Sequence, residues 1–275
     1  MAERTHDDVH VLRRDDGLEM NREAVGEQQR LACGEVRLDV LLEHVWLLGV
    51  GDRHHDDVCA LLLPAIQAAR EAARRASASV QLRQVALAAH VYNDSFQNLP
   101  ATADASKGAP VSWRVKFLPY LEQSYLYDQY DQSQPWDSAK NRAISDRKVQ
   151  IYHDINDPDI NSTKTYFLAV VGPGTALEAD KPVGLGQLHD PSRTILFVEA
   201  NADRAVPWAE PKDLEYNSAE PRAGLGDVRP GGFVAAFADG STRFIHNSAD
   251  PDVLKAMMSR DDGDNGRVDA EINSP

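Results

Sequence analysis

The sequence predicts an α+β fold in which one long N-terminal helix packs on an antiparallel β-sheet. Apolar residues recur at intervals of three and four across residues 60–98, which is the period of an amphipathic helix. From residue 99 onward, short apolar runs alternate with turn residues, which is typical of strands. A length of 275 residues is enough for one large domain or two small ones with a buried core.

The predicted helix runs from Leu61 to Gln97 and carries two apolar stripes. Alanine, the best helix former, dominates the middle of the helix. Pro64 lies near the start, where a helix either tolerates a proline or kinks. The stripes are Leu62, Ile66, Ala69, Ala73, Ala76 and Val80, and then Leu82, Val85, Ala89, Tyr92 and Phe96. We expect an apolar stripe to pack on the sheet and the sequence Asn98-Leu99-Pro100 to end the helix.

The composition divides the chain into four segments. Residues 1–57 contain no lysine and keep no steady period, so they are predicted to be an atypical, poorly ordered lead-in. Residues 58–98 form the helix, 99–262 a β-rich domain continuous with it, and 263–275 a loose acidic tail.

Several segments after the helix have strand or turn patterns. Strands are predicted at Trp113–Leu118, Lys164–Val171 and Thr194–Glu199, a turn at Gly172-Pro173-Gly174, and a helical turn at Leu254–Met258. Two further apolar runs within Phe233–Ile245 flank Asp239 and Gly240. Asp-Gly between such runs predicts a two-residue type I′ hairpin, because both central positions then need a positive φ.

Charge and cysteine usage exclude several classes of partner and site. A formal net charge of −14 repels phosphate backbones, so no nucleic-acid partner is expected. Cys33 and Cys59 form neither a Cys-x-x-Cys pair nor a disulfide framework. His54 and His55 have acidic neighbours but no ordered tetrahedral spacing, so we predict no metal and no cofactor.

Other candidate sites have simpler explanations. Glu199, Glu210 and Asp213 surround Trp208 and could pair as acid and base, but we interpret them as solvated loop carboxylates. His90 is interpreted as a partly buried packing residue. The segment 261–266 is similar to a calcium loop but has Gly263 at the third ligand position. We therefore expect no enzyme and no catalytic residue.

Six segments resemble, in the same order, a planctomycete pseudopilin-like family of unknown function. They are LLLPAIQAAREAARR (61–75), LRQVALAAHVYNDSFQNLP (82–100), FLPYLEQSYLYDQYD (117–131), YFLAVVGPGTA (166–176), VPWAEPKDLEY (206–216) and FADGSTRFI (237–245). The resemblance covers roughly residues 60–262. It implies a pilin-like fold and a non-enzymatic structural or assembly subunit of the cell envelope or a secretion system, with protein subunits as partners. The alternative is an extracytoplasmic small-molecule or glycan-binding module.

The chain departs from that family in three ways. The family signature His-x9-Asp-Gly has Arg229 in place of its histidine, followed by Asp239 and Gly240, and the family segment 206–216 contributes Trp208 and Glu210. The resemblance implies a cysteine pair at the positions that Ala78 and His153 occupy. The prepilin-type apolar helix, by which family members reach the membrane, is missing, so this chain as given is expected to stay cytoplasmic.

The third departure has two explanations, which the sequence leaves open. The string Asp52-Arg53-His54-His55 can be encoded GAT-CGC-CAT-CAT, and a one-base shift gives Ile-Ala-Ile, an apolar run of the kind the family places there. A frameshift would then have replaced a membrane helix by the charged lead-in. The alternative is a divergent N-terminus on a soluble paralogue.

Overall fold

The computed structural model describes residues 55–106, 108–153, 157, 159–178 and 181–261, with side chains from Leu63 onward. The described residues up to Ala69 and those from Arg70 belong to two compact units. Nearly all of the predicted lead-in, His54 and the whole predicted tail lie outside the described residues.

Helix α1 spans His55–Phe96 without interruption and includes Pro64, so the helix prediction is confirmed. The next residue, Gln97, has a left-handed φ of 59°. Its amide donates to the carbonyl oxygen of Asn93 at 2.6 Å. A residue in this conformation ends a helix by redirecting the chain. Among the described residues, no helix combines the length and the hydropathy needed to cross a membrane.

Within the second unit, α1 buries only one of its two apolar stripes. Leu82, Val85 and Ala89 are fully buried, as the second stripe predicts. Ala73, Ala76 and Val80 of the first stripe are instead exposed. The two stripes lie on different sides of a 3.6-residue helix, and only one side can face the sheet.

In the part of the chain that the structure describes, nine strands form one large sheet and two small pairs. The strands are β1 (Ala103–Asp104), β2 (Val111–Ser112), β3 (Lys164–Thr165), β4 (Phe167–Val171), β5 (Ile195–Glu199), β6 (Val206–Pro207), β7 (Leu214–Glu215), β8 (Gly232–Phe237) and β9 (Thr242–His246). The five-stranded sheet has the order β7-β4-β5-β8-β9, while β1 pairs with β2 and β3 with β6.

The five-stranded sheet is mixed rather than purely antiparallel as predicted. Strands β4 and β7 are parallel, with Val170 opposite Leu214, and the other neighbours are antiparallel. Predicted strand Thr194–Glu199 corresponds to β5. Predicted strand Lys164–Val171 is split into β3 and β4, which belong to different sheets. Parallel pairing depends on a long crossover, and local periodicity does not encode it.

Both faces of the five-stranded sheet are buried. On one face, Leu82 and Val85 of α1 join a core with Phe197 and Val234. The other face is covered by helix α5 (Pro251–Met258), which contains the predicted helical turn. In β5, a register irregularity between Ile195 and Phe197 accompanies the placement of the adjacent Leu196 and Phe197 in the same core. Such a bulge allows two consecutive side chains to point to the same face of the sheet.

The segment between β2 and β3 is helical, which corrects the predicted strand at Trp113–Leu118. Its elements are α2 (Trp113–Phe117), a 3₁₀ turn (Leu118–Leu121), α3 (Ser124–Gln129), α4 (Ala139–Ser145) and a second 3₁₀ turn (Gln150–Tyr152). The hydroxyl of Ser112 accepts from the Arg114 amide and caps α2. Trp113, Val115 and Phe117 are fully buried, and so is Arg114 between them. The alternation of apolar and charged residues in this segment is typical of a strand, and the helix is formed against that pattern.

The predicted hairpin is present, but its loop is longer than two residues. The amide of Phe237 donates to the Ser241 carbonyl oxygen, and the amide of Gly240 donates to the Phe237 carbonyl oxygen. Only Gly240 has a positive φ, 84°, so this is a three-residue loop with a bulge and not a type I′ turn. The Ala238 amide donates to Thr194, which extends the β5–β8 ladder into the loop and leaves no room for the tighter turn.

Candidate functional site

Arg229 is completely buried in an ion pair with Glu199 at the end of β5. Its Nε and Nη2 donate to the two carboxylate oxygens of Glu199 at 2.6 and 2.5 Å. Its Nη1 reaches Oε1 of Glu71 on α1 at 3.2 Å. Arginine matches a carboxylate in this two-pronged way, which histidine cannot do. Arg229 therefore links α1 to the sheet.

Arg229, Asp239 and Gly240 do not form one site. Arg229 precedes β8, whereas Asp239 and Gly240 follow it. A strand advances about 3.3 Å per residue, so Arg229 and Asp239 lie near opposite ends of β8. Asp239 is exposed and its carboxylate accepts from the Ser241 amide at 2.8 Å, which is a turn-stabilising contact.

A second buried ion pair joins Arg114 of α2 to Asp213, with Nη2 and Oδ1 at 2.7 Å. Arg114 Nη2 also donates to the carbonyl oxygen of Phe167 at 3.0 Å, while Asp213 accepts from the Ala169 amide at 2.9 Å. Phe167 and Ala169 both belong to β4, where the short β7 does not reach. The two side chains thus satisfy backbone groups that a longer neighbouring strand would otherwise pair.

Donors crowd the Asp213 carboxylate. Burial raises the pKa of Asp213, while the Arg114 guanidinium, the Trp113 indole N–H and the Ala169 amide oppose that rise. The Trp113 Nε1 lies 3.0 Å from Asp213 Oδ1. Because these neighbours all donate, the cluster is built around an ionised carboxylate.

The interpretation of Glu199, Glu210 and Asp213 as solvated loop carboxylates was wrong for two of the three. Glu199 and Asp213 are buried, and each is held by its own arginine. Glu210 is half-buried, and its backbone carbonyl oxygen lies 3.4 Å from Arg114 Nη1. Two carboxylates fixed in separate ion pairs serve as structural anchors, and this arrangement is not that of an acid–base pair in a cleft.

Trp208 lies in the core. Its indole Nε1 donates to the carbonyl oxygen of Arg147 at 3.0 Å, and its ring stacks on Tyr152 with centroids 6.2 Å apart. Its backbone amide donates to Thr163 next to the β3–β6 pair. Trp208 therefore secures the helical segment against the strands, and it presents no ring surface to a ligand.

His90 is half-buried on α1, as expected for a packing residue. Its Nε2 has no hydrogen-bond partner among the described residues. A Cβ placed on Gly240 would lie 3.6 Å from that nitrogen, so His90 underlies the tip of the β8–β9 hairpin. A Cβ at that distance would make ordinary van der Waals contact, so the positive φ of Gly240 is what favours glycine there.

An apolar line crosses the outer side of α1. Val80, Leu87 and Val91 are 58%, 62% and 41% exposed. With Ala73 and Ala76, also exposed, they lie on one side of the helix, and we call these five residues the α1 stripe. A shallow depression of about 600 Å³ runs beside Ala73, Ala76 and Val80 and is closed by Gln123 and Ile151.

A larger groove of about 940 Å³ lies at the β7 edge of the sheet, and we call it the β7 groove. Leu168, Val171 and Leu214 contribute apolar surface. Arg204, Lys212, Glu215, Tyr216, Asn217 and Glu220 contribute polar or aromatic groups. This volume and mixed lining fall in the range of small-ligand sites.

The metal predictions fall partly outside the described residues. Of the segment that is similar to a calcium loop, only Asp261 is described. Within the described part of the chain, no three histidine, cysteine, aspartate or glutamate side chains are grouped as ligands.

Comparison with known families gives one match. Residues 67–187 are similar to the family SBP_bac_10, described as a protein of unknown function (DUF1559). The match includes most of α1, the helical segment and β4, and it ends before Trp208, Glu210, Arg229, Asp239 and Gly240. No curated protein and no solved structure matches the chain.

Proposed function

We propose that this chain is a non-enzymatic, pilin- or pseudopilin-like subunit of an envelope or secretion assembly. The observation that carries the proposal is the α1 stripe: a long helix buries one side on a sheet and leaves a second apolar line exposed. Burying a side chain such as Leu87 in a contact with another subunit stabilises that contact by roughly 1.5–3 kcal/mol. A row of such residues suits lateral packing against another helix.

The buried ion pairs support the same proposal. Arg229 connects Glu71 of α1 to Glu199 of β5, and the α2 pair secures β4. A helix held by these ion pairs keeps its position on the sheet when another subunit packs against its outer side. In this function both arginines are structural, and Arg229 replaces the family histidine without loss of a reaction.

Site-specific photo-cross-linking tests the proposal. A photoreactive phenylalanine analogue at Leu87, in the full chain in its native cells, should yield discrete cross-links to itself or to other envelope subunits. The matched control is the same analogue at Phe96, which is 54% exposed on another side of the same helix. Equal cross-linking at both positions, or none at Leu87, would refute the proposal.

The β7 groove favours a second candidate function, an extracytoplasmic small-molecule or glycan-binding module. An aromatic ring beside charged and amide groups is suited to a polyhydroxylated ligand, since the ring packs on its apolar face while the polar groups bind hydroxyls. A thermal-shift screen with sugars and small solutes should then show a ligand that raises Tm in the wild type and not in Tyr216→Ala. No shift across the screen would leave the subunit proposal standing alone.

A further inference from the structure

Strand β9 forms one edge of the five-stranded sheet, and alternate backbone groups on it point away from β8. The Phe237 amide donates to Ser241 and the Asn247 amide donates to Gly231, so these are hydrogen-bonded pairs of the ladder. In an antiparallel ladder such pairs alternate with non-bonded ones. The register therefore turns the N–H and C=O groups of Thr242, Phe244 and His246 outward.

Only one outward group of β9 is occupied among the described residues: the His246 carbonyl oxygen accepts from the Ala249 amide at 3.0 Å and from Arg222 Nη1 at 3.3 Å. The outward amides and carbonyl oxygens of Thr242 and Phe244 have no partner there. Unpaired strand edges readily accept an added strand, which is why proteins commonly cover or charge them. This edge therefore offers a short row of donors and acceptors to an extended chain.

A small pocket of about 290 Å³ lies beside this edge, between α1 and β9. Ala72, Ala76, Val234 and Phe244 make most of its surface apolar. Thr242 lies on this face as well, because its Oγ1 is 2.7 Å from Ser79 Oγ of α1. A side chain of an added strand that points toward α1 would enter this pocket.

Two arginines flank the edge, one on each face of the sheet. The Arg75 guanidinium lies 4.8 Å from the ring centre of Phe244 on the α1 face, and that of Arg243 lies 4.4 Å from Phe237 on the opposite face. Neither forms an ion pair within the described part of the chain. In a chain with a net charge of −14, two such cations beside an open edge favour an acidic partner.

We propose that β9 binds an acidic, extended segment of a partner protein by strand addition. The partner's backbone pairs with Thr242 and Phe244. Its apolar side chains point toward α1 and the small pocket, and its carboxylates point toward Arg243. Because side chains alternate along a strand, the recognised pattern is apolar–acidic–apolar–acidic.

Titration with synthetic peptides tests this. The probe is an acetylated and amidated (Val-Glu)₃ peptide, and the controls are (Val-Lys)₃ and the same Val-Glu peptide with alternate backbone nitrogens methylated. We expect saturable binding of the first peptide alone, measured by fluorescence anisotropy with the full chain. Arg243→Gln should weaken it about fivefold, the size of one exposed charge contact.

A proline substitution distinguishes loss of pairing at the β9 edge from loss of the fold. Thr242→Pro removes an outward amide and leaves the inward ladder intact, so it should abolish peptide binding. Thr242→Ala loses the same Ser79 contact but keeps the amide, and it should bind. Circular dichroism melts verify that both variants are folded.

Equal binding by the two variants, equal binding of the Val-Glu and Val-Lys peptides, or no binding at millimolar peptide would each overturn the proposal. Leu87→Glu should bind normally, because Leu87 does not line the small pocket beside β9.

Discussion

At the residue scale, two buried arginines organise this protein. Arg114 and Arg229 are both completely buried, and each neutralises one buried carboxylate. An apolar run that contains a charged residue was a usable signal at Trp113–Phe117, since a charge inside a core needs a partner. The sequence did not reveal which carboxylate that partner would be.

The Arg114–Asp213 pair should show strong coupling. Asp213→Asn and Arg114→Met should each lower the free energy of unfolding by about 3–5 kcal/mol, because each leaves a buried charge unpaired. The double variant should lose clearly less than the sum of the two. Urea denaturation of all four proteins measures the coupling, and strict additivity would show that the two groups do not depend on each other.

Asp104 should make stability depend on pH in the acid range. Burial raises the pKa of Asp104, but hydrogen bonds from Lys116 and Ser106 together lower it by more. The net result is a pKa lowered from 3.8 to about 2. A lowered folded-state pKa contributes stability that is present above the unfolded value and is lost as the pH falls through about 2.

Asp104→Asn should therefore be less stable than the wild type at neutral pH, and the difference should shrink as the pH falls below the unfolded value of 3.8. Urea denaturation at several pH values measures it. Asp94→Asn, at an exposed carboxylate on α1, controls for the change in net charge. A stability difference that stays constant down to strongly acidic pH would contradict the proposed contribution.

At the element scale, the two sides of α1 differ in burial. Val85 is fully buried against the sheet, whereas Leu87, two residues later, is 62% exposed. Both are aliphatic residues in the same stretch of helix, so their burial depends on the position of the sheet and not on their chemistry.

The two positions form a matched pair for substitution. Val85→Asp should destabilise the fold by a few kcal/mol, because it places an unpaired charge in the core. Leu87→Asp should change the free energy of unfolding by only about 0.5 kcal/mol. Thermal denaturation followed by circular dichroism distinguishes them. Equal effects at both sites would mean that α1 does not pack as described.

At the scale of the whole molecule, α1 holds distant parts of the chain together. Gln81 Nε2 donates to the carbonyl oxygens of Gln150 at 3.0 Å and of His153 at 2.8 Å. Ala78 lies one turn before Gln81 and is buried, and so is His153. The positions at which the family resemblance implies a cysteine pair therefore lie in one region of this fold.

We predict that Ala78→Cys combined with His153→Cys forms a disulfide under mild oxidation. Closing so long a loop should raise the free energy of unfolding by about 2–4 kcal/mol relative to the reduced protein. Non-reducing gel mobility and urea denaturation with and without reductant measure this. The single variants are the controls, and a failure to oxidise would place the two positions too far apart for this bond.

The sequence by itself determined the local elements: the presence of a long helix α1, strand β5, the β8–β9 hairpin and the helical turn in α5. Each of these follows from a period or a turn signal within about twenty residues, where propensity and burial agree. Tertiary structure alone decided the helical state of Trp113–Phe117, the parallel β4–β7 pair and the side of α1 that is buried. It also paired Arg114 with a carboxylate 99 residues away. Such choices depend on which surfaces meet across the chain, and a local pattern of apolar residues carries no information about the partner.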